Sequence, residues 1–133
     1  MLISTKGRYA LRVLLDLAEH GCEGYIPLKD VAERQDISLK YLEGIMSALS
    51  KADMVDGLHG KGGGYKLCKP TSQYVVGDIL KLTEGTLAPV ACLEANANKC
   101  PKADKCKTLS LWKGLDMIVE DYLYGITLAD LLK

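Results

Sequence analysis

Three of the five cysteines in this 133-residue chain fall close together: Cys92, Cys100 and Cys106, separated by seven and then five residues. Thiols grouped in this way either bind soft metals or exchange disulfides. The same stretch carries Lys99, Lys102, Lys105 and Lys107, and neighbouring cations favour the thiolate, which is the form that ligates iron or meets an oxidant. Three thiolates can hold an iron–sulfur cluster and leave one ligand to be found. A thiol or disulfide switch, or cysteines without a signalling role, are the other readings of the same residues. Cys22 and Cys68 stand apart from the group and are read as structural.

A second set of residues suits a polyanion. Ser38, Lys40, Tyr41, Glu43 and Ser47 combine hydroxyls, a cation and one carboxylate within ten positions. Hydroxyls and lysine bind phosphate oxygens, whereas a glutamate repels phosphate but accepts from cytosine N4, so Glu43 is the candidate for reading a base. Lys6, Arg8 and Tyr9 lie near the N-terminus. Cations in a first helical turn oppose the helix dipole, which suggests an anionic partner. His59, Lys61 and the run Gly62, Gly63 and Gly64 form a third group, in which glycine lets main-chain amides approach a phosphate or a minor groove.

The elements that must position these groups follow from periodicity. Tyr9, Ala10, Val13, Leu14 and Leu17 mark one face of a helix over Thr5 to His20. A short helix over Leu28 to Gln35, a turn at Asp36 and Ile37, and a helix capped by Ser38 and running to about Lys51 make a helix-turn-helix. Met54 to Pro70 reads as a hairpin around the glycine-dense turn, a wing. A short helix spans Val75 to Thr83, and from Glu84 to Lys107 the periodicity disappears. That stretch is too long to be an idle loop in a compact domain. Leu109 to Tyr124 is a last long helix whose wide apolar arc calls for a second copy of the chain, and Thr127 caps a short final helix.

The expected fold is therefore mainly α with a small β-wing, a winged helix-turn-helix with a long C-terminal dimerisation helix. It divides into a DNA-binding part (1–84), a cysteine-containing sensor loop (85–108) and a dimerisation segment (109–133). A homodimer would read a pseudo-palindromic double-stranded DNA operator with half-sites about one helical turn, or a small multiple, apart.

Bulk charge contributes nothing to this reading. Lys+Arg and Asp+Glu both number 17, and residues 1–70 carry 10 basic against 9 acidic, the remainder 7 against 8. DNA contact must come from local placement. No stretch reaches the roughly 18 apolar residues of a membrane helix, and no secretory signal is visible, so no membrane association and a cytoplasmic location are expected. A reducing compartment disfavours a disulfide framework. The two histidines, His20 and His59, fall in different elements and form no catalytic constellation, so the chain is not read as an enzyme.

With these motifs in place the chain resembles the Rrf2 family of bacterial regulators, especially its iron–sulfur cluster (IscR-like) branch. The resemblance rests on STKGRYALRVLLDLA at 4–18, IPLKDVAERQDISLKYLEGIMSALSKADMV at 26–55, GKGGGYKL at 60–67, and the three cysteines ahead of LSLWKGL at 109–115. It implies a dimer whose C-terminal helices cross, and a cluster held by Cys92, Cys100 and Cys106 near the partner's first helix, 2Fe–2S ahead of 4Fe–4S. The chain departs from the branch in three places. The first gap is seven residues rather than five, Leu109 stands where a histidine is frequent, and Arg8 stands where an acid would supply a fourth ligand from the partner, which leaves Asp104, Glu94, a small free thiol or no protein group as the candidates.

Overall fold

The computed structural model describes residues 3–21, 24–94 and 101–133. It has the expected mainly helical architecture with one small antiparallel sheet. Helix α1 spans Thr5–His20 and buries Ala10, Val13, Leu14 and Leu17, four of the five positions its spacing marks, while Tyr9 is half-buried. Its N-cap is Ser4, whose Oγ accepts from the Gly7 amide at 3.2 Å.

Helix α2, Leu28–Gln35, ends at Asp36 in a left-handed conformation (φ 53°, ψ 51°). There the Ile37 amide donates back to the Ala32 carbonyl at 3.0 Å. This bond and the burial of Ile37 close the turn, and aspartate is one of the few non-glycine residues that tolerate the conformation. Helix α3, Leu39–Lys51, starts at once, with Ser38 Oγ accepting from the Tyr41 amide at 3.1 Å. Leu42, Ile45, Met46 and Leu49 point inward and join α1 in the principal core.

The wing is a hairpin of β1, Val55–Leu58, and β2, Gly64–Leu67, pairing Val55 with Leu67 and Leu58 with Gly64. A third short piece of chain joins it: Ile26 and Tyr65 exchange both backbone hydrogen bonds at 2.9 Å. This bridge is invisible to a pattern search, because Ile26 is a single residue between a loop and Pro27. It explains Gly64, whose φ is 151° and where a Cβ would lie 2.1 Å from the Ile26 carbonyl oxygen. Behind the wing, the buried Tyr74 hydroxyl donates to the Met54 carbonyl at 2.5 Å and accepts from the Cys68 amide at 2.9 Å, tying the two ends of the hairpin together. Cys68 contributes through this backbone bond; its side chain is exposed.

Helix α4, Val76–Glu84, packs on α1, where Gly7 gives the closest approach: a Cβ there would fall 2.4 Å from a Glu84 carboxylate oxygen. Between α4 and the next helix the described residues form only single 3-10 turns at Ala91–Leu93 and Ala103–Lys105, in keeping with the lost periodicity. Helix α5 covers Leu109–Tyr124 and buries none of its residues. The short α6, Leu128–Leu131, begins with a reciprocal cap in which Thr127 Oγ1 accepts from the Asp130 amide and the Asp130 carboxylate from the Thr127 amide. Leu128 is fully buried in the same core as α1 and α3, and its amide donates to the Tyr74 carbonyl.

Candidate nucleic-acid interface and cysteine loop

The exposed side of α3 carries Leu39, Lys40, Tyr41, Glu43, Gly44 and Ser47, because the four inward apolar residues occupy the opposite face. Lys6, from the first turn of α1, joins Ser38, Lys40, Tyr41, Gly44 and Ile45 around one shallow surface hollow. Residues more than thirty positions apart in sequence thus share a surface. Tyr9 links the same two helices: its ring meets Tyr41 edge-on at 5.7 Å and lies beneath the Arg12 guanidinium at 5.1 Å. Arg8 is exposed, with a local bond to Thr5. His59, Lys61 and Gly62 are exposed at the wing tip, and Gly63 and Gly64 are half-buried behind it.

Two features that position this surface are absent from the sequence reading. Asp16 is 2% exposed and accepts from Arg34 Nη2 at 2.7 Å, Arg34 Nε at 3.0 Å and Gln35 Nε2 at 2.8 Å. Burial by itself raises the carboxyl's pKa, but the bonds from Arg34 and Gln35 and the Arg34 charge outweigh it and hold it below the usual carboxylate value. Arg12 completes the clamp, its guanidinium donating to the Gln35 side chain at 3.1 Å and to the Gln35 carbonyl. The end of α2, and with it the turn into α3, is pinned to α1. The available signal was an acid placed beside Val13, Leu14 and Leu17.

The second feature is Glu84 at the end of α4. Its Oε1 accepts from both the Ser4 amide, at 3.0 Å, and the Ser4 hydroxyl, at 2.7 Å. The anion that offsets Lys6 and Arg8 in the first turn of α1 is therefore supplied from within the chain. Lys6 and Arg8 therefore do not by themselves require an external anion.

In the cysteine loop, Cys92 and Cys106 are exposed and unbridged. Cys100 lies outside the described residues, as does Cys22. Cys106 sits just ahead of α5, with its sulfur 3.4 Å from the Thr108 hydroxyl. Its pKa is lowered first by that side-chain hydrogen bond and then by the backbone amides of Thr108 and Leu109. The cause is thus the start of a helix rather than the neighbouring lysines. Among the described residues no three His, Cys, Asp or Glu side chains gather closely enough to hold a metal ion. Glu94 lines a hollow with Ile3 and Glu84, and Asp104 is exposed two positions before Cys106. Cys106, exposed and with its pKa held below the usual thiol value, has the soft sulfur donor an iron–sulfur cluster requires.

Comparison with known proteins places these features in context. The family model described as Rrf2, iron-dependent transcriptional regulator, matches residues 3–133. The chain is similar to the HTH-type transcriptional regulator IscR of Serratia proteamaculans, 39% identical over 99% of this chain and 79% of that protein. Among solved structures it is similar to CymR, the global cysteine regulator of B. subtilis, at TM-score 0.81 and 35% identity, covering 99% of this chain and 96% of that one. It is also similar to T. potens IscR, at TM-score 0.75 and 36% identity, covering 99% and 86%. The relatives named here are transcription regulators, and among the described residues no helix is long and apolar enough to cross a membrane.

Proposed function

Because this chain belongs to the Rrf2 family of DNA-binding transcription regulators, we propose that it acts as a cytoplasmic homodimer reading a pseudo-palindromic duplex and reporting iron–sulfur or redox status through its cysteine loop. The observation that carries the reading is the shared surface of Lys6, Ser38, Lys40 and Tyr41, which joins the starts of two helices where a backbone phosphate and a base edge would be met together. Glu43 and Ser47 continue that face along α3. Arg8, Tyr9 and the wing residues His59, Lys61, Gly62, Gly63 and Gly64 are assigned to flanking contacts.

Dimerisation is supported by α5. Leu111, Leu115, Ile118 and Tyr122 recur at spacings of four, three and four and are 59%, 39%, 68% and 67% exposed. An apolar stripe of that length left in water is unfavourable and matches itself in a second copy. We accordingly read 1–84 as the DNA-binding part, 85–108 as the sensor loop and 109–133 as the dimerisation segment.

Cys92, Cys100 and Cys106 are assigned as cluster ligands, with 2Fe–2S favoured. A bound cluster supplies a centre whose loss or oxidation reports cellular conditions. The chain's own part is to present the exposed Cys106 sulfur just ahead of α5 and to hold the other end of the loop, through Glu84, against the first turn of α1. Coupling of about 1–3 kcal/mol between loop and reading surface would change operator affinity roughly 5- to 150-fold. The second reading is a thiol switch acting through the same cysteines, favoured by the exposure of both Cys92 and Cys106 and by the likeness to CymR. Anaerobic purification with iron and sulfide analysis, followed by DNA titration before and after removal of iron, tests the proposal. Colourless protein whose affinity is unchanged by reconstitution but responds to reversible thiol oxidation would transfer the assignment to the thiol switch.

A further inference from the structure

Gly44 lies on the exposed face of α3, well inside the helix, and a Cβ there would meet no atom within 4 Å. It is not in the positive-φ region, so neither backbone geometry nor packing demands glycine. Glycine within a helix is nonetheless unfavourable relative to alanine, and the reason for it must lie outside the folded chain. The missing side chain opens the hollow lined by Lys6, Ser38, Lys40, Tyr41, Gly44 and Ile45.

The character of that hollow narrows the occupant. Its exposed lining is mostly carbon and includes the buried Ile45 and the exposed Tyr41. Tyr41 is held by its edge contact with Tyr9, so this wall is braced against α1. Lys6 and Lys40 border it, favouring something that carries negative charge beside a small apolar group. In a major groove that combination is the C5-methyl of a thymine next to its own backbone phosphate. We propose that the Gly44 hollow receives a thymine methyl, making Gly44 a specificity-determining position that reads a T·A pair by leaving room for it. The inference rests on the DNA-binding reading above and adds a base identity to it.

The test uses the full-length protein and the duplex enriched from a random-sequence pool. Each thymine of that duplex is replaced in turn by deoxyuridine, which removes only the methyl. One thymine in each half-site should stand out, its replacement weakening binding about 4-fold per half-site, the worth of one buried methyl-sized group. Gly44→Ala, by putting its own methyl where the thymine methyl is proposed to sit, should abolish that thymine preference while raising the melting temperature by about 3 to 5 °C. Uridine tolerated everywhere within about 1.5-fold, or a Gly44→Ala protein that keeps the preference, overturns the proposal and leaves the DNA-binding reading intact. A Gly44→Ala protein that melts lower also overturns it, since the glycine would then serve the fold. A pool that yields no enriched duplex removes the DNA reading and this inference together.

Discussion

Single residues on the reading surface are distinguished by the chemistry of their ends. Glu43 is exposed on α3 between Lys40 and Ser47, and a carboxylate in a phosphate field is useful only where it accepts from a base. Glu43→Ala should therefore relax preference at particular base pairs by about 1–3 kcal/mol while leaving affinity for random duplex unchanged or improved. Lys61, exposed in the wing, has no acceptor to offer a cytosine amine, and the contact proposed for it is with phosphate. Lys61→Ala should weaken binding to all sequences alike and lower the salt slope by about one, measured by titration at several salt concentrations. Equal losses on specific and random DNA for Glu43→Ala would remove it from the reading set. The exposed positions of Glu43 and Lys61 were legible in the sequence because apolar spacing and the glycine-rich turn mark the opposite, inward positions. Gly44 was not, since a missing side chain signals only when the space above it is known to be open.

At the scale of elements, two contacts decide how the reading helix is held. Asp16 binds Arg34 and Gln35 and so pins the end of α2 to α1. Arg34→Ala leaves a buried carboxylate without its cation and should cost about 2–4 kcal/mol in denaturant melts. Since the folded carboxyl holds its proton less tightly than the unfolded one, the stabilisation is complete above about pH 5 and is lost as pH falls through the acid range. Asp16→Asn should flatten that acid limb; an unchanged pH profile would show that the pair contributes no net stability. Glu84, reaching from α4 to Ser4, is the second contact. Glu84→Ala should destabilise by about 1–2 kcal/mol and weaken DNA binding through the loosened first turn of α1, with Glu84→Gln retaining most of the stability. Neither contact could be found by periodicity, because each joins side chains from helices whose relative placement is set by packing. The helices themselves were legible nearly to the residue, since Ser38, the Asp36 turn and the apolar spacing are local signals.

The whole molecule is governed by α5. A 16-residue helix with no buried residue gains little from its own chain, so in the homodimer proposed above its stripe of Leu111, Leu115, Ile118 and Tyr122 should form the interface. Ile118→Glu should yield a monomer by analytical ultracentrifugation at micromolar concentration and reduce operator affinity far more than affinity for a single half-site. A dimer that survives the substitution would relocate the interface.

What the sequence by itself determined was the set of elements, the helix-turn-helix with its wing, and the residues on each polar face. Helical spacing, serine caps and turn residues act over a few positions and need no knowledge of distant chain. The tertiary structure alone decided that Lys6 shares a surface with Lys40, that Ile26 extends the wing, that Asp16 locks α2 and that Glu84 caps α1. Each of these depends on groups brought together by burial of the common core, and the distance between two side chains is fixed by how helices pack rather than by how far apart they stand in the chain.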